Sequence, residues 1–309
     1  MKKFLKRIRE IVFINYIMRN FIKLLIKLGV NIDITHFVVS GIVSTKLPDN
    51  EIVKMYTKGD DFIPSQIYWK GYAGYEYSVI PFYYLSNKSN VIVDIGANVG
   101  YFSLVASASN SNAKIYAFEP VKRIIDRFRK QVLINNFNNI KIEELIVGDL
   151  NGEVSFYVPK GNLMSLASST KKGWVSDVEE VIVNSTTLDN YKNSNEISKI
   201  DLIKMDCEFH ELEVLKGMSE ILKNDKPLII MEILFPEAKG VKDYFENNQH
   251  IEIEKILVEN GYYFYQITSA SLKRVKVLKH NEIDRNYVFS TKKSSVIEIP
   301  YNRINEELI

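Results

Sequence analysis

Residues 91–119 read VIVDIGANVGYFSLVASASNSNAKIYAFE, and this stretch decides the fold. Val91–Ile95 is a short apolar β run that breaks at Gly96-Ala97-Asn98-Val99-Gly100 and leads into a helical stretch, Tyr101–Ser107. A second β run, Lys114–Phe118, is closed by Glu119, so the whole is a β-turn-α-β unit with an acid at the end of its second strand. Outward from it the alternation continues: helix Val121–Asn135, strand Ile140–Val147, strand Asp201–Met205, helix Glu211–Leu222, strand Pro227–Ile233 and a helix across Val241–Asn260. Strands separated by helical stretches predict a parallel sheet covered on both faces. After Gly261, Tyr262–Thr268 and Tyr287–Ser290 predict a final antiparallel pair. Ligands of such sheets bind beyond the carboxyl ends of the strands, where the strand order reverses.

The glycine loop limits what that ligand is. A dinucleotide site wants G-x-G-x-x-G, with glycines that admit a pyrophosphate, whereas here Gly96 and Gly100 are four apart with Ala97 and Asn98 between them. A nicotinamide-dependent oxidoreductase shares the sheet and the acid after the second strand, but not this spacing. A ligand without a pyrophosphate still needs the tight turn, and an acid after the second strand can take both hydroxyls of a ribose. Asp94 and Glu119 therefore suit S-adenosyl-L-methionine, in a crevice formed by Asp94, Gly96, Ala97, Asn98, Gly100 and Glu119, with Asp149 after the third strand near the adenine.

A second constellation is IKMDCEFHELEVLKG, residues 203–217, which puts two acids and a histidine at the end of a strand. Taken with VIVDIGANVGYFSL and YAFEP, it resembles the FkbM family of S-adenosylmethionine-dependent methyltransferases. The resemblance covers roughly residues 70–290, including Thr187-Leu188-Asp189 and Pro227-Leu228-Ile229-Ile230-Met231-Glu232. Its most specific part is a D-x-E-x-H-E-x-x-x-L-x-G run, matched by Asp206, Glu208, His210, Glu211, Leu215 and Gly217. In one place the chain departs from the family, which usually has glycine where Phe209 stands. The resemblance implies a Rossmann-like, mostly parallel seven-stranded sheet and an O-methyltransferase acting on a hydroxyl of a sugar, a glycan or a natural-product small molecule.

Methyl transfer from a sulfonium leaves the protein to position the partners and to accept the hydroxyl proton. His210 suits that base by its ordinary pKa, with Glu208 or Glu211 orienting the ring and Asp206 near the methionine amino group; a helix cap is the structural alternative. Asp206 and Glu208 could instead hold a divalent cation with Glu232, although acids at strand ends also cap helices and bind amino groups. A noncatalytic interaction protein on the same scaffold is a further reading, because fold does not fix activity.

The rest of the chain supplies context. Its 309 residues, with 46% hydrophobic and 25% charged side chains, are those of a folded soluble protein. A net charge of +2 argues against nucleic acid as the main partner. One cysteine, Cys207, permits no intrachain disulfide, and with four scattered histidines it fits a reducing, cytoplasmic compartment without structural zinc. Residues 1–30 depart from this average, carrying eight Lys or Arg against one acid. Arg19, Lys23 and Lys27 interrupt the apolar run, so no span of ~18–20 charge-free residues exists for crossing a bilayer. Asn15, Arg19, Lys23 and Lys27 instead draw a polar stripe on an amphipathic helix, suited to packing on its own domain, to a homo-oligomer contact, or to peripheral contact with a membrane. Phe37–Ser44 and Glu51–Thr57 predict a hairpin about the turn cluster Lys46–Asn50. Aromatics from Tyr68 to Tyr84 predict buried core or a substrate cleft, and Leu163–Gly173 a mobile flap. The expected organisation is a basic helix (1–32), an accessory hairpin region (33–70), a methyltransferase domain (71–295) and a tail (296–309).

Overall fold

The computed structural model describes residues 12–30, 32, 34, 37–161, 177–234, 249–269, 271–279 and 284–292. The flap expected at Leu163–Gly173, the tail at 296–309 and the first part of the helix expected across Val241–Asn260 lie outside the described residues. Strands β1 (Gly41–Lys46) and β2 (Ile52–Thr57) form the antiparallel hairpin, Gly41 opposite Thr57. The strands that follow are β3 (Val91–Ile95), β4 (Lys114–Phe118), β5 (Ile140–Glu143), β6 (Ile146–Val147), β7 (Gly152–Pro159) and β8 (Val178–Thr186). They are succeeded by β9 (Leu202–Met205), β10 (Leu228–Glu232), β11 (Tyr263–Ile267), β12 (Leu272–Val275) and β13 (Asn286–Ser290).

The main sheet has the order β12-β11-β13-β10-β9-β3-β4-β5. Strands β5, β4, β3, β9 and β10 are mutually parallel, and β13 runs antiparallel to both β10 and β11. The central strands are mainly apolar runs because both faces are covered: Ile92, Val93, Leu202, Ile203, Ile229 and Ile230 are all fully buried. Among the described residues the sheet thus has eight strands rather than the expected seven. The addition, β12, pairs antiparallel with β11 at the edge.

Two further expectations are corrected. The strand expected across Ile140–Val147 divides, with β5 in the main sheet and β6 in a separate three-stranded sheet of order β6-β8-β7. The helix expected across Glu211–Leu222 is two helices, Glu211–Lys216 and Ser219–Asn224. Gly217 lies at the break, where a Cβ would come 1.9 Å from the Gly148 carbonyl oxygen.

The aromatic-rich segment folds as helices Phe62–Lys70 and Val79–Ser86 around a 3-10 turn. Tyr72, Phe82 and Tyr83 join the core, whereas Trp69, Tyr75 and Tyr77 line a cavity. The basic helix Val12–Lys27 lies on the hairpin region: Asn15 Nδ2 donates to the Val38 carbonyl at 2.9 Å, and Asn15 Oδ1 accepts from the Ser40 N–H at 3.0 Å. Among the described residues no helix is long and apolar enough to cross a membrane.

Helix Lys122–Asn135 holds the hairpin through one face. Arg127, Gln131 and Asn135 are spaced four apart and so stack on that face. Arg127 grips Asp60 in a bidentate pair at 3.0 and 2.9 Å. Gln131, fully buried, accepts from the Tyr56 N–H at 2.6 Å and donates to its carbonyl at 2.9 Å, and Asn135 does the same to Lys54 at 2.8 and 2.7 Å. These amides satisfy the edge of β2 as a neighbouring strand would. Gln131→Leu leaves the Tyr56 N–H unpaired and its carbonyl with only the long contact from Arg127 Nη1 at 3.5 Å, and is expected to cost about 1–3 kcal/mol, while Asn135→Ala, where water can substitute, costs less than about 1 kcal/mol. Urea unfolding of the two variants checks this; equal losses would contradict it.

Candidate active site

The site grows from the place where the strand order reverses. The Gly96 and Ala97 N–H groups donate to the Phe118 carbonyl at 3.1 and 3.0 Å, and the Asp206 N–H donates to the Ile95 carbonyl at 3.1 Å. The carboxyl ends of β3, β4 and β9 are thereby tied at one level. Gly96 has φ +77°, and a Cβ there would come 2.1 Å from the Asp206 carbonyl oxygen, so only glycine lets the two loops meet.

A cavity opens above this junction. Of the residues expected at the cofactor, Asp94, Gly96, Ala97, Asn98, Glu119 and Asp206 line it, and Glu208 and His210 do so as well. Its lining also includes the apolar Phe118, Ile124, Leu145, Val147 and Phe156. Gly100, Asp149 and Glu211 are not among the lining residues. Gly100 has φ +88° and is held by packing, since a Cβ there would come 2.0 Å from the Phe128 ring. Asp149 is exposed on the surface. Glu211 is buried and accepts from the Cys207 N–H at 3.0 Å, so it fixes the turn after β9 rather than orienting His210.

The acids of this cavity are held away from water. Glu119 accepts from the Asn98 N–H at 3.1 Å and the Val121 N–H at 2.9 Å, and burial pushes its carboxyl up to about 7. Asp94 accepts from Ser103 Oγ at 2.6 Å, and burial pushes it up to about 6. Lys204, which the motif reading passed over, is 1% exposed, with Nζ 3.7 Å from both Glu76 Oε1 and Asp206 Oδ2 and 4.7 Å from the centre of the Phe102 ring. Burial pulls its proton affinity down, but Glu76, Asp206, Glu232 and Asp94 outweigh that and keep it an ammonium. The signal was available: one charged residue stands in the otherwise apolar strand LIKM.

The turn after β9 carries two left-handed residues in succession, Glu208 at φ +50° and Phe209 at φ +73°. A left-handed conformation suits the glycine usual at position 209 in the family, and Phe209 holds it by burying its ring, 4% exposed. His210 then begins helix Glu211–Lys216, with Nδ1 3.6 Å from Glu213 Oε2, and Nε2 lies against Gly148, where a Cβ would come 2.8 Å from it.

A second cavity of about 790 Å³ adjoins the first, lined by the rings of Trp69, Tyr75 and Tyr77, by Glu76, Asp206, Glu208 and Glu232, and by Arg285. Tyr75, Asp206 and Glu208 line both; His210 lines only the first. Arg285 Nε is 3.1 Å from Glu232 Oε1, and burial together with the nearby Asp206 charge pushes the Glu232 carboxyl well above its ordinary range. Glu232 is therefore paired with an arginine instead of completing a cation site. Among the described residues no group of three or more His, Cys, Asp or Glu side chains is arranged to hold a metal ion.

Comparison with known proteins follows this geometry. The family model described as Methyltransferase FkbM domain matches residues 94–264, more than half of the chain. The chain is 27% identical over 154 residues to the hexuronic acid methyltransferase AglP of Haloferax volcanii, covering 48% of this chain and 57% of that protein. It is 26% identical over 150 residues to the 2-O-methyltransferase NoeI of Sinorhizobium fredii, covering 45% and 61%. The matches thus span about three fifths of the length of these relatives. A solved structure of methyltransferase FkbM from Methylobacillus flagellatus superposes with a TM-score of 0.40 at 17% identity, over 65% of this chain and 43% of that one.

Burial of Glu211, with Asp206 and Glu208 near it, raises its carboxyl from 4.5 to about 8. The folded state then binds more protons than the unfolded state between those values, so this group makes stability fall as pH rises through the window. Glu211→Gln keeps an acceptor for the Cys207 N–H without the charge. It is expected to match the wild type at low pH and to exceed it at pH above about 8 by a few kcal/mol. Thermal or urea unfolding across pH checks this, and parallel pH profiles for the two proteins would contradict it.

Proposed function

The chain belongs to the FkbM methyltransferase family, and from that premise we propose that it transfers the methyl group of S-adenosyl-L-methionine to a hydroxyl of a sugar or glycan. One observation carries the reading: two adjoining cavities share Tyr75, Asp206 and Glu208 as a common wall. A donor in the first and an acceptor in the second would face each other there.

The residues of the first cavity fit the cofactor. Its apolar lining suits an adenine, and Glu119 keeps free lone pairs on both carboxylate oxygens to accept ribose hydroxyls. Asp94 and Asp206 suit a cationic amino-acid end. When bound, the cofactor supplies a methyl group already activated on a sulfonium. The chain's own work is then to orient the acceptor, exclude water and accept a proton. Trp69 and Tyr77 offer flat apolar faces for a sugar ring, and Arg285 with Glu232 offers polar partners for its hydroxyls. Glu208, an acid of the wall that both cavities share, takes the hydroxyl proton. His210 lines only the donor cavity, so we assign it a positioning role, with Glu213 beside its Nδ1. The names of the hexuronic acid methyltransferase and the 2-O-methyltransferase support a sugar acceptor.

Incubation with methyl-labelled S-adenosylmethionine and a glycan fraction tests the proposal. The label is expected on a sugar as an ether that survives alkali, and alkali-labile label would indicate a methyl ester and overturn the hydroxyl reading. Glu208→Gln should lower kcat by ~10²–10⁴ with cofactor affinity retained, whereas His210→Ala should raise the KM for the cofactor more than it lowers kcat. Full turnover in Glu208→Gln would remove it as the base.

A further inference from the structure

The helix Val12–Lys27 lies on the protein through a side that combines buried Asn15 and Arg19 with half-buried Ile14, Met18, Ile22 and Leu25. Asn15 is fully buried and bonded to the backbone of Val38 and Ser40. Arg19, 8% exposed, lies over the rings of Tyr16 and Tyr68 at 5.2 and 4.9 Å, and Lys23 lies over Tyr68 at 4.1 Å. The opposite side is apolar and faces solvent: Phe13 is 70% exposed, Ile17 52%, Phe21 58%, Leu24 52% and Leu28 71%. A helix that packs on its own domain ordinarily buries its apolar stripe and leaves the polar one wet. Here two polar residues, Asn15 and Arg19, take part in the packing, hydrogen bonds of the buried asparagine fix the helix, and a second apolar face is left in solvent.

We propose that this face docks the protein reversibly on an anionic lipid bilayer surface. A contiguous apolar face of this size marks an interaction site. Charge selects its occupant. Residues 1–30 carry Lys2, Lys3, Lys6, Arg7, Arg9, Arg19, Lys23 and Lys27 against the single acid Glu10. A second copy of the chain on the same face would bring two such basic segments together, which like-charge repulsion opposes. Arg19 is buried against Tyr68 and takes no part, but an anionic leaflet attracts the exposed Lys23 and Lys27 and the basic residues that precede the helix in the sequence, while the aromatic and aliphatic side chains insert at the headgroup boundary. The position suits a surface enzyme. Tyr68 packs against Arg19 and Lys23, and its chain neighbours Trp69 and Lys70 line the second cavity. On the reading of that cavity as the acceptor site, docking would bring its rim toward the headgroups and toward acceptors carried on lipids; the docking itself does not depend on that reading.

The test is sedimentation of the full chain with vesicles of phosphatidylcholine alone and of phosphatidylcholine with phosphatidylglycerol, at low and high salt, alongside sedimentation velocity without lipid. The expected result is association with the anionic vesicles that high salt weakens, and a roughly tenfold or greater loss of binding in Phe13→Glu, Phe21→Glu. Because both side chains are exposed, the melting temperature of this double variant should equal that of the wild type. Absence of association with the anionic vesicles would overturn the proposal, as would equal binding by the double variant. A concentration-dependent dimer that the double variant abolishes would assign the face to a second copy and overturn it likewise.

Discussion

The structure depends on the contact between Gly96 and the backbone of Asp206. Strand β3 is flanked by β4 on one side and β9 on the other, with Ile95 opposite both Phe118 and Met205. Two chain segments more than one hundred residues apart therefore end side by side, and the first can turn away only if it carries no Cβ. A side chain at position 96 would push against the Asp206 carbonyl at 2.1 Å and spread the sheet at its centre. From this one approach follow the level of Asp94, Glu119 and Asp206, the crevice above them, and the direction in which the turn Cys207–His210 leaves β9. The glycine of the loop serves backbone contact between strands, and Gly100 serves contact between loop and helix. Neither has the task that a pyrophosphate fingerprint gives its glycines.

Above this junction the protein buries charge at a density that a core would not tolerate without purpose. Lys204 stands 3.7 Å from both Glu76 and Asp206, and Arg285 pairs with Glu232 at 3.1 Å, and these residues line the two cavities. Desolvating such ions costs several kcal/mol each, and partial pairing returns only part of it. The raised carboxyls of Asp94, Glu119 and Glu211 express the same penalty, because burial disfavours their charged forms. Strain points the same way: two consecutive left-handed residues, one of them a phenylalanine, aim the Glu208 segment. In the proposed function these costs have a use, since a site of preset charges need not reorganise when a cationic donor and a neutral acceptor enter.

The sequence made the central sheet legible because its strands are buried on both faces and read as mainly apolar runs, broken by Asp94 and Lys204 within them and ended by Gly96, Glu119 and Asp206. The motif acids at 94, 119, 206 and 208 were legible for the same reason: each stands at or near the end of such a run, where a parallel sheet presents its ligands. The three-stranded sheet was not, because Val178–Thr186 alternates exposed Glu179, Glu180, Ile182 and Asn184 with inward residues and its partner β7 lies beyond a long excursion. The break at Gly217 depends on the backbone of Gly148, a contact that no local pattern encodes. His210 was read from its neighbours in sequence, yet a left-handed turn sends it along the donor cavity and leaves Glu208 at the shared wall. Periodicity likewise drew the stripe Asn15, Arg19, Lys23 but could not say that its first two members are buried, since residue spacing fixes a side of the helix and not what that side meets in the domain.

The central claim is that the crevice over β3 and β9 holds the donor in one cavity and leaves the adjoining cavity to the acceptor. A crystal structure of the chain with S-adenosylhomocysteine tests it most directly. The account predicts the adenine against Leu145 and Val147, the ribose hydroxyls on Glu119 and the sulfur facing Tyr75, with the space beside Trp69 and Arg285 still open. Product bound in the cavity of Trp69 and Arg285, or a ribose with no contact to Glu119, would contradict it.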